Sequence, residues 1–153
     1  MPKKIDVVLV ALSSPVIVGI YEDLQLVQTI KSDEKSSEVL PNIYKDIFIN
    51  YDVQNFFYAN GPGSFMAIKV AYIFLKSLSI LKKIPLFATD AFYFNNNQPI
   101  KAIGKLYFVS ISQEIKTQKL ETAPVAEFIL PDVLYYNDFS TTTTPLYGIG
   151  AVG

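Results

Sequence analysis

The sequence predicts an α/β fold: a mixed sheet with helices packed on its faces. Three observations carry this. Residues 5–12 form a nearly continuous apolar run, as expected of a central strand covered on both faces. Residues 37–50 and 64–82 place apolar side chains at helical spacing. The order of elements is βββαβα plus one strand, a meander first and then strands alternating with helices.

Taken in order, Ser13-Ser14-Pro15 closes the first strand with a turn. A β-branched strand follows over 16–21, Glu22-Asp23 makes a tight connection, and 24–30 form a third strand whose mixed faces suit a sheet edge. The polar stretch 31–36 leads into the first helix. There Val39, Leu40, Ile43, Tyr44, Ile47 and Phe48 share a face, while Asn42, Lys45 and Asp46 point away. Ser37 is placed to cap this helix, Glu38 suits its positive end, and Pro41 is tolerated near its first turn. A short strand over 54–59 ends at Asn60-Gly61-Pro62-Gly63. Ser64 then caps the second helix, and Lys82-Lys83 suit its negative end. After a strand over 84–88, Thr89 or Asp90 caps a short aromatic helix, 91–94, that ends in Asn95-Asn96-Asn97.

Past residue 97 the character changes. Residues 100–103, 106–112 and 117–121 read as strands, and 123–132 as one helical turn or a loop. Tyr135-Tyr136 start an edge strand, 138–144 are a hydroxyl-rich loop, and 146–152 form a last strand containing Gly148 and Gly150. The chain therefore divides into a first lobe, 1–97, that holds both long helices, and a mostly β second lobe, 98–153, without a helical layer.

Composition narrows the chemistry. The 153 residues are half apolar and carry a net charge of −1, which excludes intrinsic disorder, a strongly basic nucleic-acid binder and an acidic tail protein. The sequence has no cysteine, histidine, tryptophan or arginine, and all 13 basic residues are lysine. Thiol nucleophiles, histidine-based triads, His- or Cys-ligated metals and bidentate arginine–phosphate contacts are all excluded. No carboxylate pair has a spacing that predicts shared acid–base work, and Asp6, Asp52 and Asp90 are expected to be solvated. The longest apolar stretch, 65–81, is interrupted by Lys69 and Lys76, so no spanning helix is expected. Lys3-Lys4 before the first apolar run superficially resemble a signal peptide. Asp6 and the β-branched residues 16–18 favour a buried strand instead, and the expected compartment is the cytoplasm.

Two features bear on function. Asn60, Gly61, Gly63 and Ser64 connect a strand to a helix start, where backbone N–H groups could hold an anion. The same glycines and serine also serve a sharp turn and a helix cap, and both readings stand. The spacing is not that of a Walker A loop. The second helix is apolar nearly all round: Phe65, Ile68, Ala71, Tyr72, Leu75 and Leu78 form one stripe, and Val70, Ile73, Phe74 and Leu81 cover another side. A helix of this kind is expected to lie partly exposed in a subunit interface.

These residues resemble a family. Tyr58-Ala59-Asn60-Gly61-Pro62-Gly63-Ser64-Phe65, a long helix, and Ile84-Pro85-Leu86 are similar to the signature of the bacterial TsaB (YeaZ) family. That signature is a strand, a Gly-x-Gly-Pro-Gly-Ser-Phe-Thr-Gly loop, a helix, and a short strand opening with Pro. Glu38-Val39-Leu40-Pro41 resembles the Leu-Leu-Pro of the family's first helix. Gly104-Lys105-Leu106-Tyr107 is similar to its Arg-Gly-x-x-Tyr hairpin, and Gly148-Ile149-Gly150-Ala151 to its late Gly-x-Gly-Ala strand. The likeness is specific over the first hundred residues and weaker afterwards.

The resemblance implies the two-lobed actin/Hsp70/sugar-kinase (RNase H-like) fold. It also implies a non-catalytic subunit that works with a TsaD-like paralogue and with TsaE to add a threonylcarbamoyl group to adenosine 37 of tRNA (t6A). On this reading the first two long helices face the partner, through Val39, Ile43, Phe65, Ile68, Tyr72 and Leu75, and the chain forms a homodimer when alone. It has no catalytic residues and no metal, requires no cofactor, meets ATP or ADP only in the complex, and does not bind nucleic acid or membrane directly. Older naming as a glycoprotease or peptidase M22 is chemically unconvincing for a chain without histidine. The sequence departs from the family in several places. Ala11 stands where the first strand usually ends in Asp, so autonomous nucleotide hydrolysis is not expected. Met66-Ala67 replace Thr-Gly, Lys69 replaces an Arg, and the second lobe is shortened at the C-terminus. The alternative reading is a small nucleotide-binding phosphotransferase of the actin-like fold.

Overall fold

The computed structural model describes residues 1–122 and 127–147. Its main sheet has five strands in the order β3-β2-β1-β4-β5. Strand β1 (Lys3–Val10) lies at the centre, antiparallel to β2 (Val16–Glu22) and parallel to β4 (Tyr51–Ala59). Every residue from Ile5 to Val10 is buried, as the unbroken apolar run requires. Ile5, Val7 and Leu9 point to one core, Val8 and Val10 to the other.

Strand β3 (Gln25–Ser32) is an edge strand with mostly exposed side chains. The expected turn at Glu22-Asp23 falls one residue later, at Asp23 and Leu24, with φ of 50° and 66°. A left-handed leucine costs about 1–2 kcal/mol. It is tolerated here because Leu24 packs against the second core and its carbonyl accepts the Leu134 N–H at 2.8 Å.

Helix α1 (Ser36–Asn50) and helix α2 (Phe65–Lys82) lie side by side on one face of the sheet. On α1, Val39, Leu40, Tyr44 and Ile47 are buried, Ile43 and Phe48 are half-buried, and Asn42, Lys45 and Asp46 are exposed, as the periodicity requires. The expected Ser37 cap is not formed. Lys35 holds the cap position, and its carbonyl accepts from Glu38 and Val39 at 3.0 and 2.9 Å. Pro41 consequently sits in the second turn, where its missing N–H leaves a gap in the helical ladder. Strand β4 begins directly after α1, three residues earlier than expected, and β5 (Leu86–Thr89) pairs parallel to it. The aromatic residues Ala91–Phe94 form a 3₁₀ turn whose Asp90 cap accepts the Phe92 N–H at 2.9 Å.

A second, antiparallel sheet of three strands follows: β6 (Ile100–Ile103), β7 (Leu106–Ile111) and β8 (Glu114–Lys119). Strand β8 starts three residues before the expected 117, because Ser112 and Gln113 make a two-residue turn with positive φ. The chain then returns to the main sheet. Val133 bridges Gln25 at one edge and Ser140 bridges Ala88 at the other. Leu130 and Leu134 enter the same buried cluster as Val8, Val10, Ile100 and Phe108. Tyr135-Tyr136 do not begin a strand; Tyr136–Asp138 form a 3₁₀ turn, because the Tyr136 hydroxyl is drawn to Asp6. Residues 127–132 hold no helical turn, and 146–147 no strand. The rest of the expected last strand, with Gly148, Gly150 and Ala151, lies outside the described residues, as do 123–126.

Tyr44 is 1% exposed, and its hydroxyl has no hydrogen-bond partner among the described residues. Its ring packs edge-on to Phe74 at 5.1 Å. A buried unsatisfied polar group costs about 1–3 kcal/mol. Tyr44→Phe is therefore expected to leave stability unchanged or raise it by up to that amount. A denaturant midpoint that falls in the variant would contradict this.

Candidate functional site

The loop after β4 is held by backbone geometry. Gly61 has a φ of +117°, and a Cβ built there would lie 2.1 Å from the Leu146 carbonyl oxygen. Gly63 passes so close to Leu12 that a Cβ would lie 2.9 Å from both its Cβ and its carbonyl oxygen. Several polar groups of the loop are engaged within the chain, although Asn60 Oδ1 is buried without a partner among the described residues. Asn60 N–H donates to the Thr89 carbonyl at 3.0 Å, and the Asn60 carbonyl accepts from Leu146 at 2.7 Å. The Gly61 carbonyl accepts from Ala91 at 2.8 Å, and the Ser64 N–H donates to the Leu12 carbonyl at 2.8 Å. Ser64 Oγ accepts from Ala67 N–H at 3.4 Å, which caps α2. Asn60, Gly61 and Pro62 are buried, Gly63 is half-buried and Ser64 is exposed. These contacts fit the turn-and-cap role of the loop.

The second candidate is the outer face of the helix pair. Ile68 and Leu75 are fully buried and Val39 is nearly so, within this chain's own core. They offer no surface to a partner, which corrects their assignment to an interface. They lie on the inner stripe of α2 and α1, the stripe that covers the sheet. Ile43 and Tyr72 are half-buried and Phe65 is exposed. The residues that face outward on α2 are Met66, Lys69, Ile73, Lys76 and Ile80, all exposed and spaced three or four apart. Ile73 is 54% exposed and Ile80 68%. Apolar residues occur on both stripes; in sequence the outer one is marked by Lys69 and Lys76, seven residues apart.

A third cluster was not foreseen. Asp6, expected to be solvated, is 7% exposed. Its Oδ1 accepts from Asn55 Nδ2 at 2.8 Å and its Oδ2 from the Tyr136 hydroxyl at 2.8 Å. A bulge in the β1–β4 pairing brings Asn55 opposite Asp6. Lys4, Tyr21, Asp23 and Gln54 join Asp6 and Tyr136 around a cavity of about 230 Å³. Burial, the hydrogen bond to Asp6 and the Asp6 charge push the Tyr136 hydroxyl up to about 12, against a smaller opposing effect of Asn55. In sequence the only sign of this cluster is a carboxylate interrupting an apolar strand. Among the described residues no group of three or more metal-ligating side chains converges.

The sequence matches no family model, and no curated protein matches it in sequence. The fold does have solved counterparts. YeaZ from Pseudomonas aeruginosa superposes with a TM-score of 0.56 at 12% identity, over 76% of this chain and 65% of that one. A second crystal structure, of an uncharacterized protein with similarity to peptidase YeaZ from Pseudomonas aeruginosa, gives 0.58 at 12% identity, over 80% and 69%. The match thus spans about two thirds of the length of these neighbours.

Two outcomes follow from the geometry. Gly61→Ala should destabilise the chain by about 1–3 kcal/mol from backbone strain, with the clash on Leu146 added. The same change at Gly63, which lacks the positive φ, should cost less; the reverse order in thermal melts would contradict the loop geometry. Tyr136 has a folded pKa above its unfolded value of 10.0, so its stabilising effect is present below pH 10 and lost as pH rises towards about 12. The stability difference between wild type and Tyr136→Phe should therefore hold steady up to about pH 10 and shrink above it. A difference that grows with alkalinity would exclude the assignment. Despite the low sequence identity, the chain has the fold of YeaZ.

Proposed function

We propose that this chain is a non-catalytic partner subunit that supports a TsaD-like enzyme in the threonylcarbamoylation of adenosine 37 of tRNA. The observation that carries the reading is the outer face of α2, where Met66, Ile73 and Ile80 stand exposed beside Lys69 and Lys76 on a fold shared with YeaZ. An apolar stripe of this kind marks a surface made for contact. The absence of histidine, cysteine and arginine from the sequence favours a supporting role over a catalytic one.

On this reading the docking partner is the TsaD-like paralogue, TsaE joins the assembly, and the free chain pairs with itself through the same helix face. Such an interface buries on the order of 1,200–2,000 Å² in total. The protein works in the cytoplasm and meets ATP or ADP only within the complex. The alternative, a small phosphotransferase of the actin-like fold, is weakened by Ala11, buried just past the end of β1. It is also weakened by the internal engagement of the loop at Asn60–Ser64.

The test is capture of the chain by the TsaD-like enzyme of the same organism. Ile73→Glu places a charge on an exposed position, so the melting temperature should stay within a few degrees of wild type. Capture should fall at least tenfold. Wild-type chain that is not captured, or an Ile73→Glu variant captured as well as wild type, would overturn the proposal.

A further inference from the structure

Among the described residues one charged side chain is buried, that of Asp6. Strand pairing builds its surroundings. Tyr21 of β2 lies opposite Asp6 on one side, and the β1–β4 bulge sets Asn55 opposite it on the other. Each carboxylate oxygen accepts one hydrogen bond, Oδ1 from Asn55 and Oδ2 from Tyr136, and both donors are neutral. A carboxylate offers roughly four acceptor positions, so part of its capacity is unused. No cation completes the set. The ion pairs among the described residues are Lys3–Glu22, Lys105–Glu121 and Lys116–Glu114, and none involves Asp6. A buried charge is ordinarily paired with an opposite one, because neutral donors restore only part of the hydration it loses.

Asp6 also borders the cavity of about 230 Å³ at the amino-terminal end of β1. The other lining groups suit the unpaired charge. Asp23 and Gln54 bring further acceptor oxygens, and Ile5, Leu24, Tyr21 and Tyr136 bring apolar surface. Lys4 is the one cationic residue of the lining; it is exposed and makes none of the ion pairs above. The volume falls below the roughly 300–1,000 Å³ of sites for drug-sized ligands, so the occupant is small. Among the described residues no set of three metal-ligating side chains converges, which favours an organic cation over a metal ion.

We propose that this cavity is a binding site for an alkylammonium group. The ammonium head pairs with Asp6, with Asp23 as the second carboxylate of the site, and the short alkyl stem lies along the apolar lining. An ammonium carries three N–H donors and no acceptor, which matches a lining rich in acceptor oxygens. An apolar stem with a charged head is suited to a wall that is apolar with a charge at its floor. The same chemistry is offered by a free amine and by a lysine side chain of another protein. The proposal does not depend on the helix face of α2 or on the tRNA reading.

The test follows the Asn55 side-chain amide by NMR in the full chain as n-butylammonium is added at fixed ionic strength. n-Butanol serves as the uncharged match and Mg²⁺ as the inorganic cation. The amine should give a saturable shift, with butanol and Mg²⁺ each at least tenfold weaker. Asp6→Asn keeps the shape and removes the charge, and should weaken amine binding at least tenfold. Asp23→Asn gives a second reading should Asp6→Asn fail to fold: the residue is exposed, its φ of 50° is one that asparagine accepts readily, and binding should fall several-fold. Lys4→Gln removes the competing cation of the lining and should tighten binding several-fold. No saturable shift in wild type, or butanol or Mg²⁺ binding as tightly as the amine, overturns the proposal. So does binding seen only in Lys4→Gln, since the chain's own lysine would then be the occupant. Putrescine and the peptide acetyl-Gly-Lys-Gly-amide separate the two sources: the tighter ligand identifies the one the cavity is shaped for, and failure of both overturns the assignment.

Discussion

The structure depends on one strand that is apolar on both faces. β1 has no side chain from Ile5 to Val10 that tolerates water except Asp6, so the chain must build two cores, one on each side of it. The two long helices cover the first face with the economy expected of α/β proteins. Among the described residues the second face has no long helix. It is closed by an aromatic 3₁₀ turn, the β6–β7 strands and a stretch without regular structure, anchored by Leu130 and Leu134. Asp6 is the one polar residue in the buried part of β1, Ile5 to Val10, and the same irregular stretch delivers Tyr136 to it. The covering of the second face and the hydrogen bond to Asp6 are thus supplied by one segment.

The same economy shapes the loop after β4. A loop of this composition at a helix start is where an α/β protein commonly holds a ligand. Here four of its backbone groups are turned inward, to Leu12, Thr89, Ala91 and Leu146. The loop ties the ends of β1, β4 and β5 to one another and to the far end of the described chain. The outer side of α2 carries exposed aliphatic and lysine side chains.

Much of this was legible in the sequence wherever the signal is local. The α1 pattern separates Tyr44 and Ile47 from Lys45 and Asp46 because polar and apolar residues alternate with the helix period. Ser64 and Asp90 are caps in the structure because each stands immediately before a helical turn with an oxygen to offer. Local signals failed where distant contacts decide. Leu24 takes a left-handed turn that its own preference opposes, because Leu134 bonds to its carbonyl 110 residues later in the chain. Tyr135-Tyr136 have strand-forming side chains, yet a hydrogen bond across the sheet bends them into a turn. On α2 apolar residues occur on both sides; Lys69 and Lys76 mark the outer one, and packing on the sheet buries Ile68 and Leu75 while Ile73 and Ile80 stay exposed. The candidate site was legible as a loop and a helix, but not as to which of their atoms are free.

The return of the chain over the second face touches both borders of the main sheet. At one, Leu26 N–H donates to the Asp132 carbonyl and Leu134 N–H to the Leu24 carbonyl; at the other, Ala88 and Ser140 exchange a pair of backbone bonds. Open strand borders are templates on which other chains can polymerise. A single stretch covers one point on each border of this sheet, with Leu130 packed so closely against Gly19 that a Cβ there would lie 2.7 Å from its Cδ1. A lesion that loosens the ribbon would bare two sticky margins at once while the helices stayed in place. Its first symptom would be self-association and loss of solubility, ahead of any loss of helical signal.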